Sequence, residues 1–472
     1  MERSVAYSMK GTRWILVCVA LATFMSNLDI SIVNISLPAI SKYFDAGIGI
    51  VSRIVLVYFL IMVGLLLVFG KLGDLKGFKK IFVTGFAVFT LGSLLCGIAG
   101  SINQLIVFRV VQAIGGSIMT ALAPAIISAF IPPEARGKAL GWVAVFAALG
   151  ISAGPAIGGI ITEYLSWHWI FLINVPIGAG AIIMVCRILP RQDRGPSRAP
   201  FDIPGAFFLF LLFTSLIYAL NMGQERGWTS PLILGCFACA CVCACCFVMV
   251  ERRSADPLID PGLFRNRNFV WGNLAGFFVL MGLNGMIFLL PFYLEITRSL
   301  PMNRAGLIMV IPSGIMMLIN PLAGGAADRV GSRLLSSGGM FLCAGAFAML
   351  SLFNAHTPIW FILFSLTWFG LTAGFFMAPN GRLVMTSCPE EKQGVASSIM
   401  MLVRIGGGLM GTCTFEAIFS GALPQQISLQ NIAPSHPSIA PDLLTGGFHR
   451  AFLVGVLICL AAALCSALIR EK

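Results

Sequence analysis

Two ionisable side chains sit inside long apolar runs. Asp29 lies in the run that begins near Trp14, and Arg109 in the run that begins near Gln104. An isolated charge in hydrocarbon costs at least ~2.5–3.5 kcal/mol on insertion scales, so each needs a partner or a water-filled cavity. At ~1.5 Å per residue, Asp29 is about 22 Å along its run, and Arg109 is about a turn and a half into a run of opposite direction. Both therefore reach a similar depth, which predicts that they interact. Protonating Asp29 would weaken its hold on Arg109 and favour a different arrangement of the surrounding helices. A permanent structural ion pair is the alternative.

Other residues offer narrower chemistry. Arg404 stands near the middle of a later run, next to Gly406, Gly407, Gly408 and Gly411, and either anchors an anionic group or holds helix packing. Glu416 lies one or two turns from the end of that run, either as a cation or proton site or as a solvated rim residue. Glu163 and Glu295 read as rim residues. Gly150, Gly154 and Gly158 recur every four residues and share one helix face, which lets a neighbouring backbone approach closely. Pro155 removes a backbone hydrogen bond and bends the helix beside them. That segment reads either as a generic close-packing helix or as a moving seal.

Enzyme chemistry finds little support. Gly150-Ile151-Ser152-Ala153-Gly154 matches a hydrolase nucleophile elbow, but that motif needs a strand-to-helix turn, and here it falls inside an apolar run. The four histidines, His168, His356, His436 and His449, lie in loops or at span ends. No helical His pair with metal spacing and no phosphate-cradling Walker loop occurs, so no metal or cofactor is expected. Six of the fourteen cysteines (Cys236, Cys239, Cys241, Cys243, Cys245 and Cys246) crowd one apolar run. Consecutive residues scatter around a helix, so they read as small lipid-facing or packing residues.

The elements that must position these groups follow from composition. Of 472 residues, 58% are hydrophobic and 11% charged, against about a quarter charged in soluble proteins. Apolar runs near the ~20 residues needed to cross hydrocarbon recur along the chain. They predict an all-α membrane protein with spans near 14–38, 51–70, 81–100, 104–129, 139–162, 169–187, 204–222, 231–250, 269–294, 304–325, 335–353, 358–379, 395–419 and 449–469, fourteen in all. The first run is too long for a signal peptide and lacks a small-residue cleavage site, so it reads as an uncleaved span. The formal charge of +12 is topological rather than a nucleic-acid footprint. Counting residues at span ends with the adjoining connection, one side of the membrane collects 23 of the 31 Lys and Arg and the other 6, and Arg109 and Arg404 lie deep within spans. The positive-inside rule makes the richer side cytoplasmic, with both termini there.

The chain also repeats itself. Gly70-Lys71-Leu72-Gly73-Asp74-Leu75-Lys76-Gly77 follows span 2, and Gly324-Gly325-Ala326-Ala327-Asp328-Arg329-Val330-Gly331 follows span 10, with the aspartates 254 residues apart. Pro133-Glu134 before span 5 is echoed by Pro389-Glu390 before span 13. Six spans plus two inserted ones give that offset. The expected organisation is an N-terminal six-helix bundle over 1–190, inserted helices 7 and 8 over 191–252, and a C-terminal six-helix bundle over 253–472. Paired bundles with a site between them near the midplane are a common design of secondary transporters. A single pseudo-repeated chain with a titratable buried acid suits alternating access better than a channel with filter loops or charge rings.

Taken in order, several segments resemble the major facilitator superfamily, in particular its fourteen-spanner drug:proton antiporter branch (EmrB/QacA-like). They are Leu28-Asp29 through Asn34 to Pro38, the two Asp-containing connections, and Arg109-Val110-Val111-Gln112. Gly150-x3-Gly154-Pro155-x2-Gly158-Gly159, Trp167-His168-Trp169-Ile170-Phe171 through Asn174-Val175-Pro176, and Leu263-Phe264-Arg265-Asn266 complete the set. The resemblance implies proton-coupled export of lipophilic, often cationic compounds, with Asp29 and Arg109 in proton coupling. Asn34, Gln112, Arg404 and Glu416 are further candidates for coupling or substrate contact. It implies a hinge and seal at Gly150, Gly154, Pro155, Gly158 and Gly159. A cytoplasmic latch is implied at Gly70, Asp74, Gly77, Asp328, Arg329 and Arg333, with Asp74 read as preceding a helix start. The pattern departs at Leu75 and Phe78, where basic residues are usual, at Ala113 for Gly, and at His168 for Arg. Few acids line the expected cavity, which weakens a strict dication preference, while 37 Phe and 21 Met supply adaptable apolar walls. A lipid or lysophospholipid translocator is the alternative within the fold. The expected setting is the cell membrane, as a monomer, without nucleic acid; some relatives use a periplasmic adaptor, and nothing in this sequence indicates one.

Overall fold

Apolar runs of this length leave every backbone group to be satisfied within the segment, which only helices and closed barrels achieve in lipid. The computed structural model describes residues 9–190, 203–253, 261–388, 393–422 and 441–470, and among them the chain is helical with no strand. The helices are α1 (Met9–Phe44), α2 (Ile48–Lys76), α3 (Phe78–Gly97), α4 (Ile102–Phe130), α5 (Pro133–Tyr164) and α6, broken into Trp169–Leu172 and Asn174–Ile188. There follow α7 (Ile203–Arg226), α8 (Pro231–Arg253), α9 (Arg267–Phe292) with a π turn (Tyr293–Thr297), and α10 (Met302–Val330). The last four are α11 (Ser332–Ser351), α12 (Ile359–Thr386), α13 (Gln393–Gly421) and α14 (Pro441–Ala467). Thirteen of these are long and apolar enough to cross a membrane, and in α7 the qualifying stretch is shorter, Phe207–Leu220. Pro389-Glu390 and His436 lie outside the described residues.

Helix pairing repeats along the chain. In the first six helices α1 packs on α5, α2 on α4, and α3 on both α4 and α6. Eight helices later α9 packs on α13, α10 on α12, and α11 on both α12 and α14, so the same pairs recur. Helices α7 and α8 pack on each other, and α7 also lies against α2 and α13. The two six-helix sets meet through α5 with α10 and α2 with α13. The glycine-bearing connections obey the same repeat at backbone level. Gly77 has φ 87° and ψ 135°, and Gly331 has φ 94° and ψ 142°. Gly77 donates its N–H to Gly73 O at 3.0 Å, as Gly331 does to Ala327 O at 3.1 Å. A positive φ with ψ this large is essentially confined to glycine.

These connections are shorter than the sequence suggests. Gly70, Gly73 and Asp74 are helical within the last turns of α2, and Asp328 and Arg329 within the last turns of α10. Asp74 therefore does not sit at a helix start; a single residue, Gly77, separates α2 from α3. Glycine costs about 1 kcal/mol in a helix, but Gly73 lies against Leu122 and Phe78, and the packing of α2 carries the helix past it.

Candidate functional site

The end of the molecule carrying Lys76, Lys79 and Lys80 is here the basic end, and the end carrying the α5–α6 and α9–α10 connections is the lysine-poor end. Asp29 projects from the middle of α1 into the space between α2, α3, α4 and the second segment of α6. Arg109 of α4 donates Nη1 to Asp29 Oδ2 at 2.7 Å and to Gln112 Oε1 at 2.7 Å. Gln112, one turn further along α4, donates Nε2 to Asp29 Oδ1 at 2.7 Å and to Ser93 Oγ at 2.8 Å. Asn174, the first residue of α6's second segment, donates Nδ2 to Asp29 Oδ1 at 3.5 Å. Arg109 Nε donates to the carbonyl of Ile54 at 3.3 Å, and the Tyr58 ring covers the guanidinium at 4.2 Å. All of these side chains are buried: Asp29 is 0% and Arg109 1% exposed.

The ring is closed and electrically neutral. Two charges 2.7 Å apart, each held by further hydrogen bonds, satisfy the condition for keeping ions out of water. Removing either charge would leave the other buried and uncompensated. A neutral carboxyl at Asp29 would not balance Arg109. Tyr58 Oη and Asn174 Oδ1, both at the edge of the ring, have no partner.

The glycine face of α5 meets α1, not α10. A Cβ on Gly150 would stand 2.7 Å from Phe24 O, one on Gly154 2.9 Å from Ile32 N, and one on Gly158 3.0 Å from Ile32 O. Ser31 of α1 donates Oγ to Gly150 O at 3.0 Å. The face that touches α10 is formed by Pro155 and Gly159: a Cβ on Gly159 would stand 2.6 Å from Met302 O, and Gly306 presses on Pro155 O. The expectation of one glycine seal between bundles is thus corrected. Gly150, Gly154 and Gly158 lock two helices of one bundle, and only Pro155 and Gly159 reach the other. The seam lies near the lysine-poor end, where Glu163 Oε2 accepts from the N–H of Met302 at 3.0 Å and Asn303 Nδ2 donates to Tyr164 Oη at 3.2 Å. Glu163 so supplies an acceptor and a negative charge to the exposed amides that open α10. Asp29 lies at the level of Gly150 and Gly154, about a turn below this seam toward the basic end.

The remaining predicted residues are dispersed. Asn34 is buried on another face of α1, donating to Ile30 O at 2.9 Å, with its Oδ1 unpartnered. Glu416 is 3% exposed, which corrects its reading as a solvated rim residue. Arg404 is exposed. Among the described latch residues Gly70 has open space beside it, Gly77 turns the α2–α3 corner, Arg329 is exposed and Arg333 lies in the first turn of α11. Nothing is described of the Asp74 and Asp328 side chains. His168 stacks on Trp167 at 3.8 Å, and burial lowers its pKa, so it stands neutral where the resemblance leads one to expect a cation. Sequence reasoning missed Ser93, Tyr58 and Asn174 as members of the ring. Asn174 is visible as a polar residue in an apolar span, whereas Ser93 looks like any small packing residue.

Residues 19–412 match the Major Facilitator Superfamily. The chain belongs to that superfamily. Within it, the sequence is 34% identical over 412 residues to the riboflavin transporter RibZ of Clostridioides difficile, covering 87% of this chain and 89% of the relative. It is 33% identical to the multidrug transporter protein MdtP of Bacillus subtilis, over 85% of this chain and 74% of the relative. It is 29% identical to the tetracenomycin C resistance and export protein of Streptomyces glaucescens, over 88% and 77%. Among solved structures, the inward-facing, unoccupied form of a bacterial homologue of the lysosomal transporter Spinster superposes with a TM-score of 0.68 at 15% identity, covering 98% of both chains. The protein is a multi-pass membrane transporter of the major facilitator fold, not an enzyme; Ser152 of the apparent nucleophile elbow lies inside helix α5.

Proposed function

We propose that this major facilitator protein is a proton-coupled antiporter of the fourteen-spanner drug-export branch, moving amphipathic small molecules out of the cell by alternating access. The observation that carries the reading is the neutral buried ring of Asp29, Arg109 and Gln112, set about a turn below the α5–α10 seam. A proton on Asp29 leaves Arg109 uncompensated at a cost of about 3–5 kcal/mol while the ring stays dry. The protonated form is therefore driven toward an arrangement in which Arg109 gains water or a new partner. That differential between two arrangements is what coupling requires.

Orientation follows from charge. With the basic end cytoplasmic, both termini face the cytoplasm of the cell membrane, and the closed α5–α10 seam is extracellular, so this arrangement faces inward. Residues 1–190 and 253–472 act as the two rocking bundles, and residues 191–252, which hold α7 and all but the last residue of α8, as an insertion beside the α2–α13 contact. Gly70, Asp74, Gly77, Asp328, Arg329 and Arg333 form a cytoplasmic latch that engages when the protein turns outward. The relatives named for drugs, and the one named for riboflavin, support an amphipathic small-molecule cargo.

The test is efflux from proteoliposomes under an imposed pH gradient. Uphill export that collapses with a protonophore supports antiport. Export that follows only the cargo's own gradient refutes it.

A further inference from the structure

Arg404 is the one described arginine that stands exposed within the span of α13, between Leu402 and Ile405, both buried. It is about 16 Å from the first residue of α13 at ~1.5 Å per residue. Its neighbours fix which face of α13 it occupies. Gly408 and Gly411, four and seven residues on and so on the same face, press against Asn284 and Met281 of α9. Met400, one turn toward the basic end, carries its methyl to 3.9 Å from where a Cβ on Gly381 of α12 would stand. Arg404 therefore stands on the face of α13 that borders the notch between α9 and α12, on the basic side of the α9–α13 contact. Asn380 braces that notch, donating Nδ2 to Gly272 O at 3.0 Å and leaving its own carbonyl oxygen unpartnered.

The contrast with Arg109 is chemical. Arg109 is buried and neutralised, whereas Arg404 has no ion pair or hydrogen bond among the described residues. A free guanidinium at this depth is tolerated where it meets water, not acyl chains. No described carboxylate of the spans competes for it: Asp29 holds Arg109, Glu163 holds the start of α10, Glu251 and Glu416 are buried, and Glu295 lies at the lysine-poor end. Among the described residues, Arg404 thus stands as an exposed, unpaired cation within a span.

We infer that Arg404 forms an anion-binding subsite, so that the cargo is an amphipathic molecule carrying an acidic group such as a carboxylate, sulfonate or phosphate ester. This rests on the transport reading and replaces the lipophilic cation that family resemblance implies. The planar fork of the guanidinium receives two oxygens at once. Met400 and, one turn from Gly381, Met377 supply a deformable apolar wall beside it.

Two xanthene dyes of opposite charge test this: carboxyfluorescein, an anion, and rhodamine 6G, a cation. Binding is read by fluorescence anisotropy to the full-length protein in phosphatidylcholine nanodiscs at pH 8. The wild type binds carboxyfluorescein the more tightly. Arg404→Gln weakens that binding about tenfold or more, the worth of one charge-assisted hydrogen bond, and leaves rhodamine 6G unchanged or tighter. Arg404→Lys, which keeps the charge and loses the fork, falls between. Monodisperse elution of each variant separates loss of binding from loss of fold. Displacement of the dye by phosphatidylglycerol assigns the subsite to a lipid headgroup; no displacement assigns it to a soluble acid. Tighter binding of rhodamine 6G by the wild type, or no effect of Arg404→Gln, overturns the inference. Carboxyfluorescein binding that survives while pH-driven export fails would sink the antiport reading alone.

Discussion

Asp29→Asn is the substitution that presses hardest on the buried ring. Asparagine keeps the shape of the carboxylate and one acceptor for Gln112 Nε2, but it removes the charge and turns an amide toward Arg109. Arg109 is 1% exposed, so solvent cannot compensate. Breaking a buried pair from one side costs about 3–5 kcal/mol, more than a hundredfold in the equilibrium between this closed ring and any form that hydrates Arg109. The expected outcome is a lower melting temperature in detergent and no transport in response to a pH gradient. The double variant Asp29→Asn/Arg109→Gln removes both charges and should recover most of the lost stability without recovering coupling. Thermal unfolding followed by tryptophan fluorescence, run beside proteoliposome efflux, reads both quantities. Uphill transport by Asp29→Asn at the wild-type rate would falsify the coupling role. A double variant as unstable as the single one would refute the electrostatic reasoning even if coupling were lost.

Other perturbations read other parts. Gln112→Leu strips Asp29 Oδ1 and Ser93 of a donor, and should cost about 1–3 kcal/mol; an unchanged melting temperature would show that the ring does not depend on it. Gly154→Ala places a methyl on Ser31 and should destabilise by about 1–3 kcal/mol through overpacking, read as a fall in the unfolding midpoint that Gly141→Ala, in open space, does not produce. Gly77→Ala and Gly331→Ala should each cost about 1–3 kcal/mol, because both corners hold a conformation that side chains resist; unequal thermal shifts would argue against a shared corner. Glu163→Gln keeps an acceptor at α10 but loses the charge, so the seam should weaken by about 0.3–1 kcal/mol. Spin-label distances between α5 and α10 should then show a larger opened population.

How much of this was legible in the sequence depends on which kind of fact is asked for. Asp29 and Arg109 stand out because a charge in an apolar span demands a reason, and their depths could be matched by counting residues. Ser93 and Tyr58 could not be found that way, because joining them needs the lateral order of α2, α3 and α4, which no span carries in itself. The same limit explains α5. Spacing shows that Gly150, Gly154 and Gly158 share a face, but not that the face meets α1 while Pro155 and Gly159 meet α10. Depth misled at Glu416, because nearness to a span end says nothing of how neighbouring helices bury a side chain there. Glycines misled at the end of α2, where packing against Leu122 keeps helical a segment that composition marks as a turn.

The fit between α1 and α5 leaves no room for either to slide. With Ser31 bonded across to Gly150 and backbone nearly touching backbone at Gly154 and Gly158, the two helices behave as one stiff lever. The carboxylate rides on one arm of that lever, and the residues that meet α10 ride on the other. A charge change at Asp29 needs no chain of relays to be felt at Pro155 and Gly159, since whatever tilts the first arm carries the second with it.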